Sequence, residues 1–276
     1  MNTQAQKLRE LLASKSIATA VGVYDGFTAK IVEQAGFDAA LISGAAVATS
    51  LQGLPDNGMI TLTEMADAAK RISSCVSIPV IADADNGYGN ALNVRRTVQE
   101  FELGGCAALQ LEDQASPKKC GHMDGKEVIP TIEHCRKIEM AAATRNEMLI
   151  LARTDAATVT GIDDAINRVN EYAKAGADFV IVDAPRTVED LKKIGERVQA
   201  PVMVNLVEGG KTPYLSKEEL QDLGFSIVCY PGVCTLSVIK TEKLILNELK
   251  RVGNTQKYKD FIGEVRIDAS MRNTTV

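Results

Sequence analysis

The chain has 276 residues, with 31 Lys and Arg against 36 Asp and Glu for a net charge of −5, and 45 % of its residues are apolar. A length and composition near globular averages exclude disorder, collagen and coiled coil, and with no basic run longer than Lys118-Lys119 or Lys192-Lys193 no nucleic-acid partner is expected. Six cysteines without a C-x-x-C pair, a polar start over Met1–Ser16 and the lack of a long apolar run predict a cytoplasmic protein with no membrane partner.

In chain order, short apolar runs recur at Ala20–Tyr24, Ala39–Ile42, Ile78–Ala82, Ala107–Leu111, Leu149–Ala152, Phe179–Val182, Pro201–Val204 and Ile227–Tyr230. Each is nearly continuous rather than alternating, as a strand covered on both faces requires. Helical patterns lie between them at Thr28–Ala35, Thr63–Cys75, Asn90–Leu103, Thr131–Arg145, Asp163–Ala175, Thr187–Gln199 and Lys217–Leu223. Gly36, Gly104, Gly176 and Gly224 each close a helix before the next strand. The runs start about 29 residues apart, a usual βα repeat. Eight such units predict an α/β fold, a (β/α)8 TIM-type barrel in one domain over 1–276, with 241–276 as a helical tail. An open doubly wound sheet is the alternative, but no G-x-G-x-x-G follows the first strand.

In a barrel, chemistry sits at the carboxyl ends of the strands. The residues just past each run are Tyr24-Asp25, Ser43-Gly44, Asp83 and Asp85, Glu112-Asp113, Arg153 and Asp155, Asp183, Asn205 and Tyr230-Pro231. Asp25 and Asp155 taken singly read as helix caps. Asp83 and Asp85 read as two carboxylates on one side of an extended segment, joined by Glu112 and Asp113. Four such acids repel unless a cation holds them. Oxygen ligands without a His or Cys cluster suit Mg2+, with Mn2+ possible; pairing with Lys or Arg is the alternative.

Two stretches, Ser43 to about Met59 and Gln114 to Pro130, read as long loops of the kind that close over sites. The second carries Lys118-Lys-Cys120-Gly-His122. A cysteine beside two lysines and a histidine is expected to have its thiolate favoured and to exchange a proton near neutral pH. Cys75, Cys106 and Cys229 read as inert buried thiols.

Lys118-Lys-Cys-Gly-His122, preceded by Leu111-Glu-Asp-Gln114, resembles the signature of the isocitrate lyase/phosphoenolpyruvate mutase superfamily, on its lyase side. Further matches run in order: Val23-Tyr-Asp25, Ser43-Gly44, Gly53-Leu-Pro-Asp56, Asp83-Ala-Asp85-Asn-Gly-Tyr-Gly89, Ala152-Arg-Thr-Asp-Ala156, Asp183-Ala-Pro185, and Asn205 with Glu208-Gly-Gly210. The resemblance implies a Mg2+-dependent barrel acting on 2-oxo or 2-hydroxy acids, a homotetramer whose C-terminal helix swaps between neighbours. It implies that Ser43, Gly44 and Ala45 hold the 2-oxo acid half, and that Gly121, Asp183 and Asn205 line the substrate pocket. Asp83 and Asp85 would hold the metal, with Glu112 and Asp56 in its outer shell. Arg153 would bind a carboxylate, and Cys120 would act as acid/base on the gating loop, with Lys118 and His122 beside it as further catalytic residues.

Departures from the family pattern bear on the substrate. Methylisocitrate-cleaving members carry Arg six residues beyond the tyrosine of the Tyr-Pro step, where this chain has Leu236; Arg251, Arg266 and Arg272 are the candidate replacements from a neighbouring subunit. A buried third carboxylate without a cation is costly, so the expected reaction cleaves a dicarboxylate, 2,3-dimethylmalate-like before methylisocitrate-like, to a 2-oxo acid such as pyruvate plus a carboxylate such as propionate. Asp183 stands where Glu is usual, and Leu41 and Ala45 stand near the Ser-Gly step where an aromatic is common. The alternatives are a carboxyphosphonoenolpyruvate phosphonomutase using Gly209-Gly-Lys211 for phosphate, an oxaloacetate hydrolase or decarboxylase, and a barrel that binds without catalysing.

Overall fold

The computed structural model describes residues 3–262. Eight parallel strands, β1 (Ala18–Val23), β2 (Ala39–Ile42), β3 (Val80–Asp83), β4 (Ala108–Glu112), β5 (Leu149–Thr154), β6 (Phe179–Val182), β7 (Val202–Asn205) and β8 (Ile227–Tyr230), close in sequence order into a barrel. The closing pair sets Ala18 of β1 opposite Ile227 of β8. The expected (β/α)8 barrel is the fold found, with strand ends shifted by up to two residues.

Helix α1 (Thr3–Ala13) precedes β1, and α2 (Gly26–Gln34), α3 (Gly44–Gln52), α4 (Leu62–Cys75), α5 (Ala91–Leu103), α6 (Thr131–Thr144), α7 (Ile162–Lys174), α8 (Val188–Arg197), α9 (Lys217–Asp222) and α10 (Val233–Val252) follow. One expectation is corrected here: the stretch from Ser43 is not all loop, because its first nine residues after Ser43 form α3. The run Gly-Ala-Ala-Val-Ala is rich in good helix formers, Ser43 caps it by accepting from the Ala46 N–H at 3.3 Å, and Gly53 ends it in the left-handed conformation. The loop is thereby shortened to Gly53–Thr61.

Strand periodicity splits the core in two. Ala18, Ala20, Ala39, Leu41, Ile81, Ala108, Leu149, Leu151, Phe179, Ile181, Met203, Ile227 and Cys229 pack inside the barrel, and Ala5 and Leu8 of α1 join them from below. Their neighbours, such as Val21, Leu109, Leu111, Ile150, Val180 and Val204, face the outer helices. Burying a side chain the size of Phe179 contributes about 2 to 3 kcal/mol. The same alternation, carried past the apolar layers, sends Ser43, Asp83, Gln110, Glu112, Arg153, Asp183 and Asn205 into the barrel mouth.

Helix α10 differs from the others because none of its residues is buried. Leu236, Leu244, Leu246 and Leu249 are all exposed on it. Arg251 pairs with Glu248 of its own helix, and the tail candidates Arg266 and Arg272 lie outside the described residues.

Candidate active site

The mouth has two charged flanks. On the first, Asp83 ends β3 with Oδ1 accepting from Gln110 Nε2 at 3.0 Å and from the Asp85 N–H at 3.2 Å. Asp85 lies beyond the strand in a left-handed conformation, φ 48°, so the two carboxylates do not share an extended segment as expected. The turn brings them together: a Cβ built on Gly44 would stand 3.0 Å from Asp83 Oδ2 and 3.5 Å from Asp85 Oδ1. The N-terminus of α3 thus abuts both acids, and the Gly44 N–H reaches Asp83 Oδ2 at 3.4 Å. N–H groups at a helix terminus suit an anion, and here Asp83 takes the Gly44 N–H while Ser43 takes that of Ala46.

Lys118 inserts into this flank with Nζ 2.5 Å from Asp56 Oδ1 and 2.6 Å from Asp85 Oδ1. The alternative of carboxylates paired with a basic side chain is therefore realised in part. Burial draws its amine down, but Glu112, Asp85, Asp83 and Asp56 outweigh that and hold it well above the ordinary lysine range. One ammonium does not neutralise the group. Glu112 is buried, neither of its oxygens accepts a hydrogen bond, and its distance to Arg153 Nε is 3.4 Å. Burial pushes the Glu112 carboxyl well up and the Asp85 carboxyl up to about 6.

The second flank is satisfied. Arg153 Nε and Nη2 clasp Asp155 at 2.9 and 3.0 Å, and Nη2 also meets Asp183 Oδ2 at 3.1 Å. Asn205 Nδ2 donates to Asp183 Oδ1 at 3.0 Å. Asp155 stands at the N-cap position of the short 3-10 turn Ala156–Thr158, but its side chain makes no capping hydrogen bond; it sits fully buried between Arg153 and Lys126 Nζ, 2.8 Å away. Burial alone would raise its carboxyl, but the two cations hold it down at about 2. Asp25 is a cap as expected, accepting from Thr28 N at 2.7 Å, and it takes no part in the site.

The gating loop lies over both flanks. Gly121 fits because it has no side chain: a Cβ there would come 1.9 Å from Asp183 Oδ2 and 2.3 Å from Arg153 Nη2. His122 Nδ1 accepts from the Lys211 N–H at 3.0 Å, so its proton resides on Nε2, which is buried without a partner and available as a donor. Burial holds this imidazole below the ordinary range and so neutral. Cys120 corrects the sequence expectation. Its thiolate is not favoured, because burial raises the thiol above its usual range while Lys118 faces Asp56 and Asp85 and Lys119 Nζ turns to Gly125 O at 2.6 Å. A protonated thiol suits an acid rather than a base. Of the three thiols read as inert, Cys106 and Cys229 are buried and Cys75 is half-buried.

Ser43, Ala45, Asp56, Asp83, Lys118, Cys120, Gly121, His122, Arg153, Asp183 and Asn205 all line one cavity of about 120 Å3, together with Leu41, Gln110, Val207, Pro231 and Gly232. A larger cavity of about 570 Å3, which Asp85 lines, shares only Lys118 with it; the smaller one holds the convergent acid, base and thiol groups and is the candidate site. Gln110 and Lys126 were missed in the sequence. The inward parity of β4 would have found Gln110, whereas Lys126 follows the gating motif by four residues and carries no periodic signal.

Residues 8–249 match the family model described as phosphoenolpyruvate phosphomutase. The 2,3-dimethylmalate lyase of Eubacterium barkeri is 47 % identical over 233 residues, 84 % of this chain and 80 % of that one. The 2-methylisocitrate lyase of Aeropyrum pernix is 42 % identical over 250 residues, 91 % and 80 % of the two chains. The solved structure of oxaloacetate acetylhydrolase with 3,3-difluorooxalacetate superposes with a TM-score of 0.93 at 31 % identity, covering 98 % of this chain and 93 % of that one. The chain belongs to the phosphoenolpyruvate mutase/isocitrate lyase superfamily and is a carbon–carbon lyase of it.

Proposed function

We propose that the protein is a Mg2+-dependent lyase that splits a 2-hydroxy dicarboxylate of the 2,3-dimethylmalate type into pyruvate and propionate. The observation that carries the reading is the composition of the small cavity: one guanidinium, the α3 amides and one thiol on its polar side, and Leu41, Val207 and Pro231 as an apolar wall. The wall suits alkyl substituents, and Leu236, at the position that would serve a third carboxylate, is apolar. The relative of highest identity given above bears the corresponding name.

The first flank fits a divalent cation. Glu112 is a buried carboxylate with no hydrogen bond, and the buried Gln110 Oε1 also lacks a partner. Among the described residues no group of three or more Asp, Glu, His or Cys is arranged to hold a metal by itself; Mg2+ is commonly held by one or two carboxylates and water. Asp83 and Asp85 would hold it, with Asp56 and Glu112 around them; when bound, the ion supplies the Lewis acidity that eases ionisation of the substrate hydroxyl.

The remaining roles fall to the chain's own groups. Arg153, fixed by Asp155 and Asp183, binds a substrate carboxylate and offsets charge as the C2–C3 bond breaks. The amides of Gly44 and Ala45 hold the half that becomes the 2-oxo acid. His122 Nε2–H donates to an anionic oxygen, and the Cys120 thiol gives its proton to the carbanion. The gating loop keeps bulk water away while that species exists.

The phosphonomutase alternative loses support, because the Gly209-Gly210-Lys211 turn is occupied: its Lys211 N–H serves His122 and its Nζ pairs with Asp124 at 2.5 Å. We further propose one barrel domain over 1–276, a cytosolic setting consistent with six free cysteines, and a homotetramer in which the tail from 241 docks on a neighbour and covers the exposed leucines of α10. Light scattering giving a monomer would remove that assembly. The reaction is tested by Mg2+-dependent release of 2-oxo acid from 2,3-dimethylmalate, read through lactate dehydrogenase, beside 2-methylisocitrate, oxaloacetate and a C–P acid. Turnover confined to the last two would replace the reading.

A further inference from the structure

The gating loop is held from below by a residue outside its motif. Lys126 is buried, and its Nζ donates both to the Gly121 carbonyl and to Asp155 Oδ1. Asp155 is itself immobilised: Arg153 clasps it from the side, and its N–H donates to Asp113 Oδ1 at 2.9 Å. Asp113 in turn accepts from Thr154, Tyr172 and Arg168 inside the barrel wall. The anchor end of Lys126 is thus rigid. Both bonds leave the same Nζ, which grips the Gly121 carbonyl, one peptide beyond the Cys120–Gly121 link, so one ammonium ties the backbone beside the thiol to the same carboxylate that orients Arg153.

We propose that Lys126 is a positioning residue that fixes the Cys120-Gly121 backbone over Arg153, so that the thiol delivers its proton to one face only of the carbanion formed on C–C cleavage. The inference rests on the lyase reading above. In the step, the Sγ–H bond breaks and a C–H bond forms on the former C3; the hydroxyl proton lost earlier balances the proton gained, and water restores the thiol when the loop opens. An ammonium suits this work because it serves two acceptors at once. Methionine in its place would leave Asp155 paired with Arg153 but Gly121 unheld. The other loop ties, Gln114 to Lys119, the Met123 N–H to the Cys120 carbonyl and the Lys211 N–H to His122, do not hold the Gly121 carbonyl.

The test compares wild type, Lys126→Met and Lys126→Arg. Cleavage of 2,3-dimethylmalate in D2O is expected to give a single enantiomer of monodeuterated propionate with wild type. Lys126→Met should give a mixture, with kcat lower by about tenfold to a hundredfold and KM within about threefold, since the substrate contacts remain; Lys126→Arg should restore most of the stereochemical purity. A second arm needs no turnover: hydrogen exchange over residues 115–126 with Mg2+ and oxalate should show protection in wild type that Lys126→Met lacks. If Lys126→Met is too unstable, Lys126→Gln, which keeps one donor, takes its place and should fall between the two. Unchanged protection together with single-handed product in Lys126→Met would overturn the proposal. Absence of turnover in wild type would overturn the lyase reading instead, leaving the exchange arm to decide on Lys126.

Discussion

The two flanks of the mouth are built from the same residue types and end in opposite electrostatic states. Around Arg153, every carboxylate oxygen of Asp155 and Asp183 accepts a hydrogen bond. Around Asp83 and Asp85, Lys118 pairs with Asp56 and Asp85, and Glu112, 3.4 Å from Arg153 Nε, accepts no hydrogen bond. The difference is instructive because burial acts on both alike. Where fixed cations match the acids, the Asp155 carboxyl is held down; where they fall short, carboxyls rise and the flank retains capacity for an added cation.

If the Arg153 flank is self-contained, Arg153→Met should be the most damaging change. It leaves Asp155 and Asp183 buried against too little positive charge, a loss of about 3 to 5 kcal/mol in denaturant unfolding; a loss under about 1 kcal/mol would show that the flank does not depend on its guanidinium. Cys120→Ser touches neither flank. Turnover should fall by about 10² to 10⁴-fold while oxalate binding in the presence of Mg2+ stays nearly constant, and retention of normal turnover would end the assignment of Cys120 as acid. The first flank is probed by thermal unfolding with Mg2+. Wild type should gain about 2.7 kcal/mol at a hundredfold excess over Kd, and Asp85→Ala should gain none; an equal gain in both would take Asp85 out of the metal site.

The smallest effect gives a baseline outside both flanks. His134, buried on α6 with its ring edge-on to Tyr172 at 4.5 Å between centroids, is held neutral, its imidazole pushed down to about 3 by burial and by Lys137. The unfolded chain binds this proton from about pH 6.5 downward and the folded chain does not, so stability rises with pH through that window. It should fall by at most about 1.4 kcal/mol per pH unit on acidification below pH 6. His134→Phe should flatten that slope, and an unchanged slope would place the acid sensitivity in the flanks.

Much of this was legible in the sequence for a physical reason. Parallel strands in a barrel are covered on both sides, so they appear as apolar runs, and the polar residue just past each run must sit at the mouth; Asp83, Arg153, Asp183 and Asn205 follow from that alone. What failed depended on backbone shape or on partners distant in sequence. The turn at Asp85 is set by a positive φ, the helix α3 emerged from small residues that read equally well as a loop, and the thiol of Cys120 was judged by its chain neighbours when Lys118 and Lys119 point elsewhere. Asp155 looked like a cap because its true partner, Lys126, comes from a different loop.

Gly121 sets a mechanical limit on the lid. With a hydrogen atom in place of a side chain, Gly121 lies so close above the Asp183 carboxylate and the Arg153 guanidinium that a Cβ would overlap both. Even a single added methyl group there would therefore hold the lid ajar and let solvent in with the substrate.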